Sequence, residues 1–171
     1  MDLRTVQEPL KDGYRADPAS ARITLRARGD QAGAPISCSV DLGRAVYEAQ
    51  AHTGVGGAGT AACSGDLLLG ALAACAQLTA QMVATAMGIE VRSLQTEVEG
   101  DLDLRGTLGL DREVGAGFAA IRLRWRIDAP DASDEQLKAL REKAERYCTV
   151  AQTLLHPPAL EAGLERTAGT I

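Results

Sequence analysis

Four cysteines (Cys38, Cys63, Cys75 and Cys148) and two histidines (His52 and His156) are the side chains in this 171-residue chain best suited to redox, nucleophilic or metal chemistry. Their spacing narrows the options. Neither C-x-x-C nor H-x-x-x-H occurs, and the histidines stand far apart, so the ligand pattern of a zinc site is missing. Cys63-Ser64-Gly65 lacks the first glycine of a G-x-S-x-G elbow and the strand that must lead into it, which argues against a Ser-His-Asp hydrolase. The cysteines are too few and too scattered for a secreted disulfide scaffold, and no signal-peptide pattern precedes them. They are expected in a reducing cytoplasm, as packing groups, metal ligands or redox groups.

Each cysteine has a different local setting. Cys38 alternates with Ile36, Val40 and Leu42, the pattern of a packed strand residue. Cys63 precedes the start of a long helix, where end-of-helix amides favour a thiolate, although a hydrophobic staple against Leu68 accounts for it equally. Cys75 falls about ten residues into that helix, beyond the reach of the dipole's positive end. On local physics alone its thiol should have a raised pKa and be inert. Cys148 stands between an amphipathic helix and a second, shorter helical segment.

The elements that must position these residues follow from periodicity. The first twenty residues are polar, with Pro9, Gly13 and Pro18, and read as an N-terminal arm; residues 21–171 read as one domain. Arg22 to Arg28 alternates with Ile23, Leu25 and Ala27 on one side, a turn is expected over 29–33, and residues 36–42 return as the second strand of a hairpin. Glu48 to Thr53 is a weak strand. Gly54-Val55-Gly56-Gly57-Ala58-Gly59 matches G-x-G-x-x-G, but no helix opens directly from it and no acidic residue follows about twenty positions later. It is read as a flexible loop.

Ser64 is the expected N-cap of the long helix and Gly88 its stop. Leu68, Leu72, Cys75, Thr79, Met82 and Ala86 form its predicted apolar stripe. The stretch Leu67–Ile89 carries no charge over 23 residues, long enough to cross a bilayer, yet it is Ala-rich, interrupted by Gln77, Thr79, Gln81 and Thr85, and flanked by Asp66 and Glu90 rather than by lysine or arginine. A core helix, with no membrane partner, is the expectation. Two strands of opposite charge come next. Leu94, Thr96, Val98, Leu102 and Leu104 back an acidic face, and Ile121, Leu123, Trp125 and Ile127 back Arg122, Arg124 and Arg126, so the two faces should meet across an antiparallel pair. Ser133-Asp134-Glu135-Gln136 is a capping box opening a helix through Leu137, Leu140 and Ala144. Thr149–Leu155 looks helical until His156-Pro157-Pro158, and Ala159–Thr167 is expected as an edge strand. The order describes an α+β domain with a long central helix against antiparallel sheet. A net charge of −5 gives no electrostatic footprint for nucleic acid.

Ser64 to Cys75, reading SGDLLLGALAAC, resembles the central-helix motif that carries the first cysteine in the OsmC/Ohr proteins, named for osmotic induction and organic hydroperoxide resistance. Cys148 to Leu154, reading CTVAQTL, is similar to the short segment headed by that family's second cysteine, and Gly56–Thr60 resembles the loop before the helix. The resemblance spans about residues 20 to 168. It implies an intertwined homodimer with antiparallel sheets around long buried central helices. It also implies cytoplasmic, thiol-dependent reduction of organic hydroperoxides, with Cys75 as the peroxidatic thiolate, Cys148 as the resolving thiol, an external dithiol as reductant, and no cofactor or metal. The family pairs the first cysteine with an Arg held by a Glu. Arg44 is the candidate here, with Arg26 and Arg28 in competition. Gly65 occupies the usual Glu position, and Asp66, one residue on, is the candidate substitute as well as an ordinary first-turn carboxylate. A binding or stress protein of the same fold, holding an apolar ligand without turnover, is the alternative.

Overall fold

The computed structural model describes residues 46–166, the strand backbones at 28–31 and 37–41, and position 16. Strands β1 (Arg28–Gln31), β2 (Ser37–Asp41) and β3 (Val46–Gln50) form an antiparallel sheet in the order β1-β2-β3. The expected hairpin is there, but shifted. Gly29, Asp30 and Gln31, predicted in the turn, pair with Val40, Ser39 and Cys38. Glycine and aspartate signal a turn by local preference. On an edge strand, ladder bonds come from the backbone and tolerate polar side chains, and that is where β1 lies. Residues 22–27 and 32–36 lie outside the described residues. β3 also starts and ends earlier than its predicted span, because its pairing stops at Gln50 opposite Ser37, where β2 begins.

The glycine-rich segment is a loop with defined local structure. A 3-10 turn at Thr53–Val55 is capped by His52, whose Nδ1 accepts the Gly54 N–H at 3.0 Å. Gln50, just before the segment, holds its far end: its N–H donates to the Ala62 carbonyl at 3.0 Å, and its Oε1 accepts the Thr60 hydroxyl at 3.0 Å. Gly56 takes φ +90°, in the left-handed region that favours glycine, and a Cβ at Gly57 would lie 1.6 Å from the Ala51 carbonyl oxygen. The glycines therefore fold the segment tightly onto β3 and deliver the chain to the helix without a phosphate-binding strand–loop–helix.

Helix α1 (Ser64–Met87) begins one residue earlier than predicted, with Cys63 rather than Ser64 as N-cap. The Asp66 carboxylate accepts the Cys63 N–H at 2.9 Å, and Gly88 ends the helix at φ +69°. Its inward face is Leu72, Ala76, Thr79, Ala80, Val83 and Ala84. Only Leu72 and Thr79 of the predicted stripe are among these, while Leu68 and Met82 are 39% and 40% exposed. A helix that is apolar nearly all round carries no sequence signal for which side the core takes.

Strands β4 (Ser93–Leu102) and β5 (Phe118–Asp128) form a separate antiparallel pair in the predicted register of charges. Arg126 reaches Glu97 at 2.9 Å, Arg124 reaches Glu99 at 3.0 Å, and Arg122 bridges Glu99 and Asp101. Leu104, expected on the strand, opens a one-turn helix α2 (Leu104–Thr107) instead. Asp103 stops the strand by accepting the Arg105 N–H at 3.0 Å as an N-cap. α1 lies on β4, tied there by Gln77, whose Nε2 donates to the Leu94 carbonyl at 3.0 Å while its Oε1 accepts the Thr96 hydroxyl at 2.6 Å.

Helix α3 (Asp134–Tyr147) starts with the predicted capping box: Ser133 Oγ accepts the Gln136 N–H, and Gln136 Oε1 accepts the Ser133 N–H. Helix α4 (Thr149–Leu155) follows after the single joint residue Cys148. The expected final strand does not form over 159–166, where Leu160 and Leu164 are 93% and 99% exposed. Alternation alone makes no strand without a neighbouring edge to pair with. Two packed clusters result. One joins Ala80, Val83 and Ala84 of α1 to Leu140 and Ala144 of α3; the other joins Leu72 and Ala76 of α1 to Cys148 and Ala151. Trp125 packs against both, and its Nε1–H points to the Ala76 carbonyl at 3.4 Å.

Candidate active site

The second cluster brings together two residues 73 positions apart, Cys75 and Cys148. Cys75 is half-buried on α1. Cys148 is 0% exposed, because α3 ends on it and α4 begins on it while both helices lie against α1. No single helix runs through this point. Cys148 has φ −74° and ψ 105°, which turns the chain and directs the first amides of α4 at α1. Its own sulfur caps α4, accepting the Ala151 N–H at 3.5 Å. Both thiols are free.

The electrostatics of the pair are unequal. Burial pushes the Cys75 thiol up, but the backbone N–H of Val150, the Cys148 thiol, the Thr79 hydroxyl and the backbone N–H of Thr149 together outweigh it and hold Cys75 below the ordinary thiol value. Burial raises Cys148, and the neighbouring Cys75 raises it further against the opposing pull of the Ala151 N–H. The raised value expected at Cys75 is therefore corrected to a lowered one. Its own helix offers it no free amide, but the N-terminal end of α4 does, and a thiolate there accepts hydrogen bonds that a thiol cannot use as well.

The other predicted site residues fall elsewhere or outside the description. Asp66 is exposed, spends its carboxylate on the Cys63 N–H, and stands nine residues, about 13 Å of helix rise, from Cys75. Arg44 and Arg26 lie outside the described residues; Arg28 is on β1, with only its backbone described. Cys63 is the half-buried N-cap of α1. Two contributors were missed by sequence reasoning: the α4 amides and the hydroxyl of Thr79 as a partner of Cys75. The signal for the first was present, since a helical segment starting at Thr149 must leave its first N–H groups beside Cys148.

Next to the cysteine pair, an open apolar groove of about 1030 Å³ runs between β5 and the helices α3 and α4. Leu72 and Ala151 belong both to the wall of this groove and to the packing around Cys148; Phe118, Leu154 and Leu155 extend the apolar lining, and Arg141 and Glu145 add charge. The two cysteines are not among its lining residues.

Comparison with solved structures gives the same fold repeatedly. An OsmC-like protein from Mycoplasma pneumoniae matches with 20% identity over 79% of this chain and 89% of its own, at a TM-score of 0.65. The organic hydroperoxide resistance protein OsmC from Legionella pneumophila matches with 20% identity over 80% and 92%, at 0.62. An organic hydroperoxide resistance protein from Elizabethkingia anophelis matches with 19% identity over 80% and 91%, at 0.55. No curated protein matches the sequence. At these identities the likeness is one of fold. A family model described as OsmC-like protein matches residues 57–162, which contain α1, the β4–β5 pair, α3, α4 and both cysteines, and the chain therefore belongs to the OsmC-like family.

Proposed function

We propose that this protein is a thiol-dependent peroxidase that reduces organic hydroperoxides through Cys75 and Cys148. The unequal thiol pair carries the reading: one half-buried sulfur held toward its thiolate, beside a fully buried one held as a thiol. An attacking and a resolving group would call for that difference. The Cys75 thiolate attacks the distal oxygen of R–O–O–H; the O–O bond breaks, the alkoxide leaves and takes a proton as R–OH, and Cys75 is left as a sulfenic acid. The Cys148 thiol, deprotonated as it attacks, then forms the S–S bond and expels the oxygen as water. An external dithiol reduces the disulfide by exchange, with no cofactor. Arg44 is assigned as the cation that stabilises the Cys75 thiolate further, and Asp66 as the carboxylate nearest in sequence to the position where the resemblance expects a glutamate.

The acting unit in this reading is a cytoplasmic homodimer. Only 33% of the most apolar 18-residue window of α1 is buried within the single chain, and Leu78 is 59% exposed on it. That uncovered apolar face is what a second copy would cover in an intertwined arrangement, without a membrane.

The purified protein is expected to consume an alkyl hydroperoxide in the presence of a dithiol, and Cys75→Ser is expected to lose that turnover altogether. With one equivalent of hydroperoxide and no reductant, the intact mass should fall by two hydrogens, and Cys148→Ser should stop at the sulfenic acid. Undiminished turnover in Cys75→Ser would end this reading. The open apolar groove favours a second one, a binding protein that holds an apolar ligand without turnover. It predicts an unchanged mass in the same experiment.

A further inference from the structure

Thr79 is the one buried polar side chain in the described core, 5% exposed among Leu72, Ala76, Ala80 and Val83. It follows Cys75 by four residues, so the two side chains are stacked neighbours on one helix face. Burying a hydroxyl among apolar groups is unfavourable unless it is hydrogen-bonded, and alanine or valine would fill the site without that cost. No buried side-chain nitrogen or oxygen among the described residues lacks a partner. Helix geometry offers a hydroxyl at this position two acceptors, the Cys75 sulfur and the Cys75 backbone carbonyl one turn back. Only the first gives it a chemical role.

We infer that Thr79 is a positioning residue for Cys75: its hydroxyl donates to the Cys75 sulfur from within α1, while the first amides of α4 donate from the other side, so that the thiolate is held between two helices. The direction of the Cys75 shift agrees, since the Thr79 hydroxyl is one of the groups that favour the thiolate. Among the described residues, the titratable group facing Cys75 is the Cys148 thiol across the α1–α4 contact; the other donors are the backbone amides of Val150 and Thr149. The proton thus has few destinations. When Cys75 ionises it goes to solvent, and Thr79 keeps its own.

This inference deepens the peroxidase reading by naming what prepares its nucleophile, but its test does not depend on turnover. The pH dependence of alkylation is read at each cysteine separately, by peptide mass, in the wild-type protein, Thr79→Val, Thr79→Ala and Thr79→Ser. Losing one hydrogen bond to a charged sulfur should cut the Cys75 thiolate fraction at neutral pH by roughly three- to tenfold. The Cys75 alkylation midpoint should rise in Thr79→Val and Thr79→Ala, return toward wild type in Thr79→Ser, and leave Cys63 unmoved. An unshifted midpoint in both folded apolar variants would overturn the inference and assign the hydroxyl to the backbone carbonyl. Circular dichroism melting identifies a variant that has not folded; valine and alanine fill the site differently, so where only one folds, that one decides. If the midpoint moves as expected while hydroperoxide is not consumed, the peroxidase reading fails and the role of Thr79 stands.

Discussion

Cys75 sits where its own helix has nothing to offer a negative charge, since every amide near it is already spent on a carbonyl one turn back. What holds the thiolate comes from α4 across the packing contact and from Thr79 below it. The consequence for reactivity is direct. At neutral pH an alkylating agent should label Cys75 much faster than Cys148, because Cys75 has both the lower pKa and the only partial exposure of the two. Equal labelling rates in peptide-resolved mass spectrometry would contradict that. The same shift links stability to pH. A thiol whose folded pKa is depressed stabilises the fold above its ordinary value near about 8.5, and that contribution is lost as pH falls through the lowered folded value. Cys148, with a raised value, has the opposite sign and loses its contribution as pH climbs through that raised value. Urea unfolding of the reduced protein and of Cys75→Ser should therefore diverge as pH rises toward the ordinary thiol value, with the wild type gaining.

At the scale of elements, the site depends on two junctions rather than on any one helix. The first is the Gly-rich loop that starts α1. Gly57 packs its α-carbon so closely on the Ala51 carbonyl that a Cβ has no place, and the atom it meets is backbone. Gly57→Ala should cost about 2 kcal/mol or more, measured by denaturant unfolding, because the loop itself must open. The second is the start of α3, which with Cys148 sets where α4 begins. Ser133→Ala removes the oxygen that accepts the Gln136 N–H and should cost about 1 kcal/mol. The β4–β5 ion pairs matter less, since every partner there is well exposed to solvent and salt screens them. Melting curves of Arg122→Gln are expected to show a small loss that shrinks at high salt.

For the whole molecule, the exposed apolar faces are the feature that a single chain leaves unexplained. Leu78 on α1, the groove beside β5, and Leu160 and Leu164 beyond α4 all present apolar surface. If a second copy covers α1, then Leu78→Glu should shift the protein from dimer to monomer in sedimentation velocity while leaving the β4–β5 pair and both caps intact. On a free surface the same change would alter nothing measurable. The single tryptophan offers a second readout. Trp125 packs against the cluster that contains Cys75 and Cys148, so formation of their disulfide should change its fluorescence.

Much of this molecule was legible in its residues. The charge-matched pair of strands, the capping box at Ser133, the stop at Gly88 and the helical nature of Thr149–Leu155 each follow from local rules of alternation, capping and end signals, and the structure has them all. The two short motifs around Cys75 and Cys148 were enough to mark the family. Three expectations failed for one shared reason. The inward face of α1, the placement of Gly29–Gln31 in a strand, and the missing strand over 159–166 depend on which neighbour packs or pairs there, and local composition does not record neighbours. The pKa of Cys75 is a fourth case. By sequence alone it is a mid-helix thiol on an apolar stripe, whose value burial should raise. Only the tertiary structure turns that direction round, because hydrogen bonds to a sulfur depend on distance in space, and it is the fold that sets the first amides of α4 and the Cys148 thiol against it.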